Sequence, residues 1–393
     1  MPPSAEPVAS WPRRLAMRQR AQDEAGLWRR RRVHCREATV DFAGNDYLGL
    51  AGDPRLAEAA ASATRRYGAG ARASQLVSGH LDIHRRLEER LAALVGRPRA
   101  LLFSSGYLAN LGVLQALCDA ATPVFQDRLN HASLLDGTRL AGAPSRRFHH
   151  RDLDDLTRLL GRADPATPRL VVSDGVFSMD GDIADVAGLA ALCRRHEAWL
   201  MIDDAHGLGV LGEHGDGCVG RAQGVDDVPI LVGTLGKALG SAGAFVAGSE
   251  LLIEHLVQFA RSAIYTTAEP PGTSAATLAA LDILDAEPER RARLRAHIAR
   301  LRAGAEALGL ELLPSTTPIQ PLLLGDSERT LRWAEALRAK GFMVGAIRAP
   351  TVPRGQARLR ITLSAAHEPA RIDGLLDALA ELAREESREE GGP

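Results

Sequence analysis

The chain has 393 residues and nearly balanced charge, 48 Lys plus Arg against 49 Asp plus Glu, for a formal net charge of −1. That balance excludes a broadly basic surface for nucleic acid or anionic lipid, and no apolar stretch approaches the ~20 residues of a membrane-spanning helix. The length allows two or three domains with sizeable cores.

In chain order, Trp11 to Arg32 reads as a basic amphipathic helix without the apolar region of a secretory leader. Residues 1–45 are therefore expected to form an N-terminal helical segment. Leu87 to Val95 has helical spacing and stops at Gly96, with Pro98 beyond it. Ala100 to Phe103 reads as a short apolar strand and Leu108 to Leu117 as a helix. Pro123 to Gln126 is strand-like, Leu153 to Leu160 helical, and Leu170 to Asp174 a strand. Val186 to Arg195 is helical, followed by strands at Trp199 to Asp203, Ile230 to Thr234 and Ala244 to Ala247. Strands alternating with helices predict a parallel sheet covered on both faces, with ligands at the carboxyl ends of the strands. Residues 46–272 are read as this large domain. From Ser274 the pattern changes to long helices at Ala276 to Ile283 and Arg290 to Leu308. Gln320 to Leu324, a helix near Leu331 to Lys340, and strands around Phe342 to Ile347 and Ala357 to Leu363 follow. Residues 273–382 are read as a smaller α+β domain, and the charged end, 383–393, as a frayed tail.

Four cysteines, Cys35, Cys118, Cys193 and Cys218, lie far apart with no Cys-x-x-Cys pair. That spacing disfavours a zinc ribbon or a dithiol site, so no metal centre is expected. Scattered thiols suit a reducing compartment, and the expected location is cytoplasmic.

Lysine is nearly missing: of the 48 basic residues only Lys237 and Lys340 are lysine. Arginine cannot lose its proton at useful pH, whereas a buried lysine amine can become a nucleophile. Lys340 lies at the polar end of a helical stretch. Lys237 follows the apolar run Ile230-Leu231-Val232 in a glycine-rich turn, a place suited to imine chemistry. Two other motifs are decoys. Gly207-Leu-Gly209-Val-Leu-Gly212 matches G-x-G-x-x-G, but deep in the chain and behind an acidic Asp203-Asp204 approach. Gly236-Lys237 lacks the Ser/Thr of a P-loop, because Ala238 follows.

The stronger constellation lies on successive strand ends. Asp203 closes a buried strand, and His206 follows three residues later. A buried carboxylate needs a cationic partner, and the protonated pyridine nitrogen of pyridoxal phosphate is one. Lys237 comes one βα unit later. Ser104-Ser105-Gly106-Tyr107 sits between a strand and a helix start, where free N–H groups bind phosphate, and Thr234 adds a hydroxyl. His131, also after a strand, could lie flat on a cofactor ring and move protons there.

Asn45-Asp-Tyr-Leu-Gly-Leu50, Asn130-His-Ala-Ser133, Gly175-Val-Phe-Ser-Met-Asp-Gly-Asp182, Asp203-Asp-Ala-His-Gly207 and Thr234-Leu-Gly-Lys237 together resemble the α-oxoamine synthases. These are pyridoxal-phosphate enzymes of the aspartate-aminotransferase fold, fold type I, and the likeness runs from about Trp11 to Leu382. It implies an α/β large domain on a mostly parallel seven-stranded sheet, a smaller C-terminal domain, and a homodimer with its site at the interface. Ile347-Arg-Ala-Pro-Thr351 with Ala357-Arg-Leu-Arg360 most resembles the branch that joins L-alanine to a pimeloyl thioester of coenzyme A or an acyl carrier protein. Branches using glycine with an acetyl thioester, and a non-catalytic binding member, are the alternatives. The resemblance implies that Lys237 holds the cofactor covalently, His131 stacks on its ring and Asp203 pairs with the ring nitrogen. His206 and Ser178 take the ring-oxygen side. Gly106, Tyr107 and Thr234 surround the phosphate, which Thr266 or Thr267 reaches across the interface. Arg360 clamps the amino-acid carboxylate with Asn45 nearby. Thr351 and Arg29 meet the acyl substrate, and Ser74 leaves room for the methyl of alanine. The chain departs from the family at Arg72-Ala-Ser-Gln75, at Asp174 in place of a glutamate, and at Ala268-Glu269.

Overall fold

The computed structural model describes residues 10–29, 31–34 and 39–390. Cys35 and the last three residues of the expected tail lie outside the described residues. The chain separates into two units, one ending at Thr39 and one beginning at Val40. In the first, a helix spans Trp11–Glu24 and buries none of its residues. It is shorter than the Trp11 to Arg32 reading.

Among the described residues the second unit holds eleven strands: β1 (Val40–Phe42), β2 (Arg99–Phe103), β3 (Val124–Asp127), β4 (Ser145–Phe148), β5 (Leu170–Asp174), β6 (Trp199–Asp203), β7 (Ile230–Thr234), β8 (Ala244–Gly248), β9 (Ile319–Gly325), β10 (Phe342–Ile347) and β11 (Ala357–Thr362). Seven form one sheet in the order β2-β8-β7-β6-β5-β3-β4. Only β8 runs against its neighbours. This is the mostly parallel seven-stranded sheet expected from the sequence.

Alternation along its strands builds two cores. Leu102, Val171, Leu200, Ile202, Leu231 and Phe245 face one layer. Leu101, Val172, Met201, Ile230, Val232 and Val246 face the other. Strands buried on both faces read as continuous apolar runs, which explains their legibility in the sequence. β4 is an edge strand whose Ser145, Arg146 and Arg147 are exposed. Charged side chains there blunt the edge against further pairing, and they also hide the strand from a hydrophobicity reading.

The smaller sheet has the order β1-β10-β11-β9. The sequence alone leaves β1 inside the N-terminal segment, yet Val40 to Phe42 pair in parallel with Phe342 to Val344. Local pattern cannot reveal a partner three hundred residues away. The end of the chain also differs from expectation, because the last helix spans Pro369–Glu390. Its inner face, from Ile372 to Leu382, packs into the core and carries the following charged residues along as helix.

The parallel strands end in register. Asp174 of β5 lies opposite Asp203 of β6, and Asp203 opposite Val232 of β7. The turn after β7 carries Lys237 and is closed by Leu235 N–H to Gly243 O at 3.0 Å and Gly240 N–H to Lys237 O at 2.9 Å. Gly240 has φ +62°, and a Cβ there would sit 2.4 Å from Ala51 N and 2.5 Å from Leu50 C. Backbone, not a yielding side chain, occupies that space. Gly240→Ala is expected to cost at least ~2 kcal/mol, from left-handed strain plus the clash. Urea unfolding of the variant beside the parent measures it.

Candidate active site

A cavity of about 460 Å³ opens at the carboxyl edge of the large sheet. It brings together ten residues singled out from the sequence: Asn45, Gly106, Tyr107, His131, Ser178, Asp203, His206, Thr234, Lys237 and Arg360. Ser74, Thr266, Thr267 and Thr351 do not line it. Ser74 bridges to Thr267 instead, and Thr351 sits on an exposed turn where its N–H donates to Arg348 O at 3.0 Å. Arg29 belongs to the N-terminal unit rather than to the body that builds the cavity.

Asp203 is 7% exposed. Its Oδ2 accepts from Asn110 Nδ2 at 2.6 Å, and its Oδ1 accepts from Ala205 N–H at 3.1 Å. Both donors are neutral. A buried carboxylate held only by neutral donors, facing a cavity, fits a cationic ring nitrogen. Asn110 also donates to Ser133 Oγ at 2.8 Å, and Ser133 Oγ lies 2.7 Å from His131 Nδ1. This chain of contacts fixes the imidazole beside the acid. Sequence reasoning missed Asn110. It stands four residues after Gly106 in the helix Gly106–Leu117, so both share the face turned to the site.

Asp174 receives the His131 N–H at 3.0 Å. Burial, then the charge of Asp203, pushes its carboxyl well above the usual carboxylate range. Burial likewise pushes Asp204 up to about 7. Asp174 and Asp203 both line the cavity, whereas Asp204 does not.

Lys237 Nζ lies 2.9 Å from His206 Nε2, and His206 Nδ1 lies 2.5 Å from Tyr47 Oη. Tyr47 donates its one proton to Asn45 Oδ1 at 3.2 Å. When the Lys237 ammonium donates to Nε2, the neutral ring carries its proton on Nδ1 and donates it to Tyr47 Oη. Burial, then the charge on Lys237, holds the His206 pKa well below the ordinary imidazole value, in keeping with a neutral ring. Burial pushes Tyr47 up to about 12, so it remains a phenol. Tyr47 was visible in the Asn45-Asp46-Tyr47 motif, although nothing in the sequence gave it this role.

Arg358 and Arg360 alternate with Leu359 on β11 and differ in one respect. Arg358 pairs with Asp180. Arg360, 6% exposed, donates to Ser178 O at 2.6 Å, Thr362 Oγ1 at 2.8 Å and Asn45 Oδ1 at 3.1 Å, all neutral. Among the described residues no carboxylate lies within ion-pair distance of it. A buried guanidinium left without an anion beside a cavity fits a ligand carboxylate. At the other end, the helix starting at Gly106 offers N–H groups that no preceding turn can satisfy. Ser105 caps Leu108 N–H at 3.3 Å, leaving Gly106 and Tyr107 to face an anion. The donor set thus fits pyridoxal phosphate: an acid for the ring nitrogen, an amine for the aldehyde carbon and a helix start for the phosphate.

This fold and pocket define a pyridoxal-phosphate-dependent enzyme of fold type I. The chain belongs to the aminotransferase class I and II family, whose pattern it matches over residues 37–379. It is 68% identical to the 8-amino-7-oxononanoate synthase of Chromohalobacter salexigens, over 96% of this chain and 98% of that one. It is 57% identical to that of Alkalilimnicola ehrlichii, over 87% and 88%. Among solved structures, the 8-amino-7-oxononanoate synthase of Francisella tularensis matches with a TM-score of 0.78 and 31% identity, covering 90% of this chain and 100% of that one. A serine palmitoyltransferase from S. paucimobilis with a bound PLP–myriocin aldimine matches with a TM-score of 0.86 and 30% identity, covering 94% and 96%.

Burial, the largest influence, lowers the Lys237 amine to about 8, and the charges of Asp203 and Asp174 pull it back up. Asp203→Asn removes the larger upward pull, so the amine should titrate below 8 in the cofactor-free variant. With two lysines in the chain, reductive ¹³C-methylation followed by NMR titration reads this directly. An upward move would contradict the assigned electrostatics.

Proposed function

We infer that this chain condenses L-alanine with a pimeloyl thioester, of coenzyme A or of an acyl carrier protein. The products are 8-amino-7-oxononanoate, carbon dioxide and the free thiol carrier, on the route to biotin. The observation that carries this reading is the near-full-length likeness to named 8-amino-7-oxononanoate synthases, on a chain whose part-buried Lys237 lines the cavity.

Pyridoxal phosphate, when bound, supplies the electron sink that lets the α-carbon of an attached amino acid ionise. Lys237 would hold it, Asp203 would meet its ring nitrogen, and His131 would lie against the ring. Ser178 and His206 would take the ring-oxygen side, while Gly106, Tyr107 and Thr234 would take the phosphate. Thr266 or Thr267 of a second copy completes the phosphate site, and the working unit is a homodimer. Arg360 with Asn45 grips the alanine carboxylate. Ser74 accommodates the methyl group, and Thr351 meets the pimeloyl chain. Residues 46–272 and 273–382 act as the domains that enclose these groups, and the enzyme works in the cytoplasm.

The chain's own residues then move the protons. Lys237 would take the α-proton of the bound alanine. Burial lowers its pKa to about 8, so about a tenth of the amine is neutral at pH 7, far more than for a solvated lysine. His206 Nε2 accepts a hydrogen bond from the amine and fixes its direction. His131 would polarise the ketone formed when the α-carbon displaces the thiol of the acyl donor, and the carboxylate held by Arg360 would leave as carbon dioxide, its electron pair staying on the α-carbon. Lys237 returns the proton to the α-carbon.

The test is thiol release from pimeloyl-CoA with L-alanine by the cofactor-loaded enzyme, with glycine and acetyl-CoA as the competing pair. Turnover should favour alanine with pimeloyl-CoA, and Lys237→Ala should lower kcat by at least ~10³-fold while leaving a folded protein. Thiol release at parent rates by that variant would refute the lysine assignment.

A further inference from the structure

One charged network outside the cavity is unused by this chemistry. His150 follows β4. Its Nδ1 lies 3.0 Å from Asp127 Oδ1 and its Nε2 lies 2.8 Å from Asp182 Oδ2. Two ring nitrogens facing two carboxylates must both donate, so the ring is an imidazolium. The two acids offset the cost of burial and raise His150 to about 9. The next residue, Arg151, has φ +55°, a left-handed conformation that a non-glycine residue holds only when the surroundings impose it. What imposes it is visible: Arg151 N–H donates to Asp127 Oδ2 at 2.8 Å and its guanidinium to Asp182 Oδ2 at 3.2 Å. The turn is therefore braced to aim His150 at Asp182. The ring also packs edge-on against Phe177, with centroids 4.4 Å apart.

Asp182 closes the loop that follows β5. Phe177 N–H donates to Asp182 O at 3.0 Å and Gly181 N–H to Phe177 O at 2.8 Å, making a tight turn. The tip is locked from the other side. Ser315 and Thr317 donate to Gly181 O at 2.8 and 2.9 Å, and Asp180 pairs with Arg358. Between these anchors lies Ser178, whose carbonyl receives Arg360 Nε at 2.6 Å. The bidentate grip of a guanidinium depends on its plane, and this carbonyl helps to set that plane.

We propose that His150, through its bridge from Asp127 to Asp182, is a positioning residue for amino-acid recognition: it fixes the 177–182 loop so that the Ser178 carbonyl turns Arg360 toward the substrate carboxylate. This rests on the reading of Arg360 as the carboxylate clamp. His150 touches neither substrate nor cofactor, and its effect is on the selectivity for an amine that bears a carboxylate over one that does not.

The experiment titrates the cofactor-loaded enzyme by absorbance with L-alanine and with ethylamine, which lacks the carboxylate, in the absence of any acyl donor. In His150→Gln the Kd for alanine should rise about tenfold while that for ethylamine stays within about twofold. Equal weakening of both ligands, or no change for alanine, overturns the proposal, since a general structural loss moves both together. Asp182→Asn, which removes the other end of the bridge, serves as the second variant if the first does not fold and should give the same split. If the parent enzyme itself binds alanine no better than ethylamine, the carboxylate clamp is wrong and the proposal falls with it, a result distinct from failure of the bridge alone.

Discussion

Burial and charge act on the Lys237 amine in opposite directions, and the surrounding structure maintains the balance between them. Removal from water favours the neutral amine, while the acids at the ends of β5 and β6 favour the ammonium. The outcome depends on geometry that the sheet enforces. Register places Asp174 beside Asp203, and two adjacent carboxylates cannot both ionise cheaply. Burial and this neighbour therefore raise the Asp174 carboxyl well above the usual carboxylate range. Had the strands been offset by one residue, one acid would point to the opposite face and this electrostatic arrangement would be lost.

The second constraint is mechanical. The large sheet supplies the lysine and its acid, whereas the guanidinium comes from β11 in the smaller sheet. The loop between β5 and the following helix joins the two. Gly181 permits the contact: its φ is +71°, and a Cβ there would lie 2.4 Å from Ile319 O. No side chain can intervene, so the carbonyl of this residue can meet Ser315 and Thr317 directly. Lys237 with Asp203, and Arg360, are thereby brought to one cavity from two sheets that share a core.

Much of this was legible in the sequence. Strands β2, β5, β6, β7 and β8 are buried on both faces and show themselves as short apolar runs; the polar residues that end them mark the site. Lys237, Asp203 and His206 stood out because their types are costly in such places. What escaped reading was relational. Asn110 matters only because the helix carrying it crosses the end of β6, and Tyr47 only because His206 comes within reach. β4 escaped because arginines occupy its exposed edge, and β1 because its partner is remote in sequence. Ser74, Thr266 and Thr267, which the family resemblance places at the site, lie off the cavity of one chain. The frayed tail was misread because its charges conceal a helix whose preceding turns are anchored in the core.

The scarcity of lysine has a consequence for the exterior. Guanidinium groups keep their protons far into alkali, so the cationic side of the surface hardly alters between pH 7 and 10, while the interior amine discharges within that span. Solubility and long-range attraction for anions are thereby uncoupled from the protonation of Lys237. In a lysine-rich homologue, alkaline titration would change the outside and the inside together; here it isolates the inside.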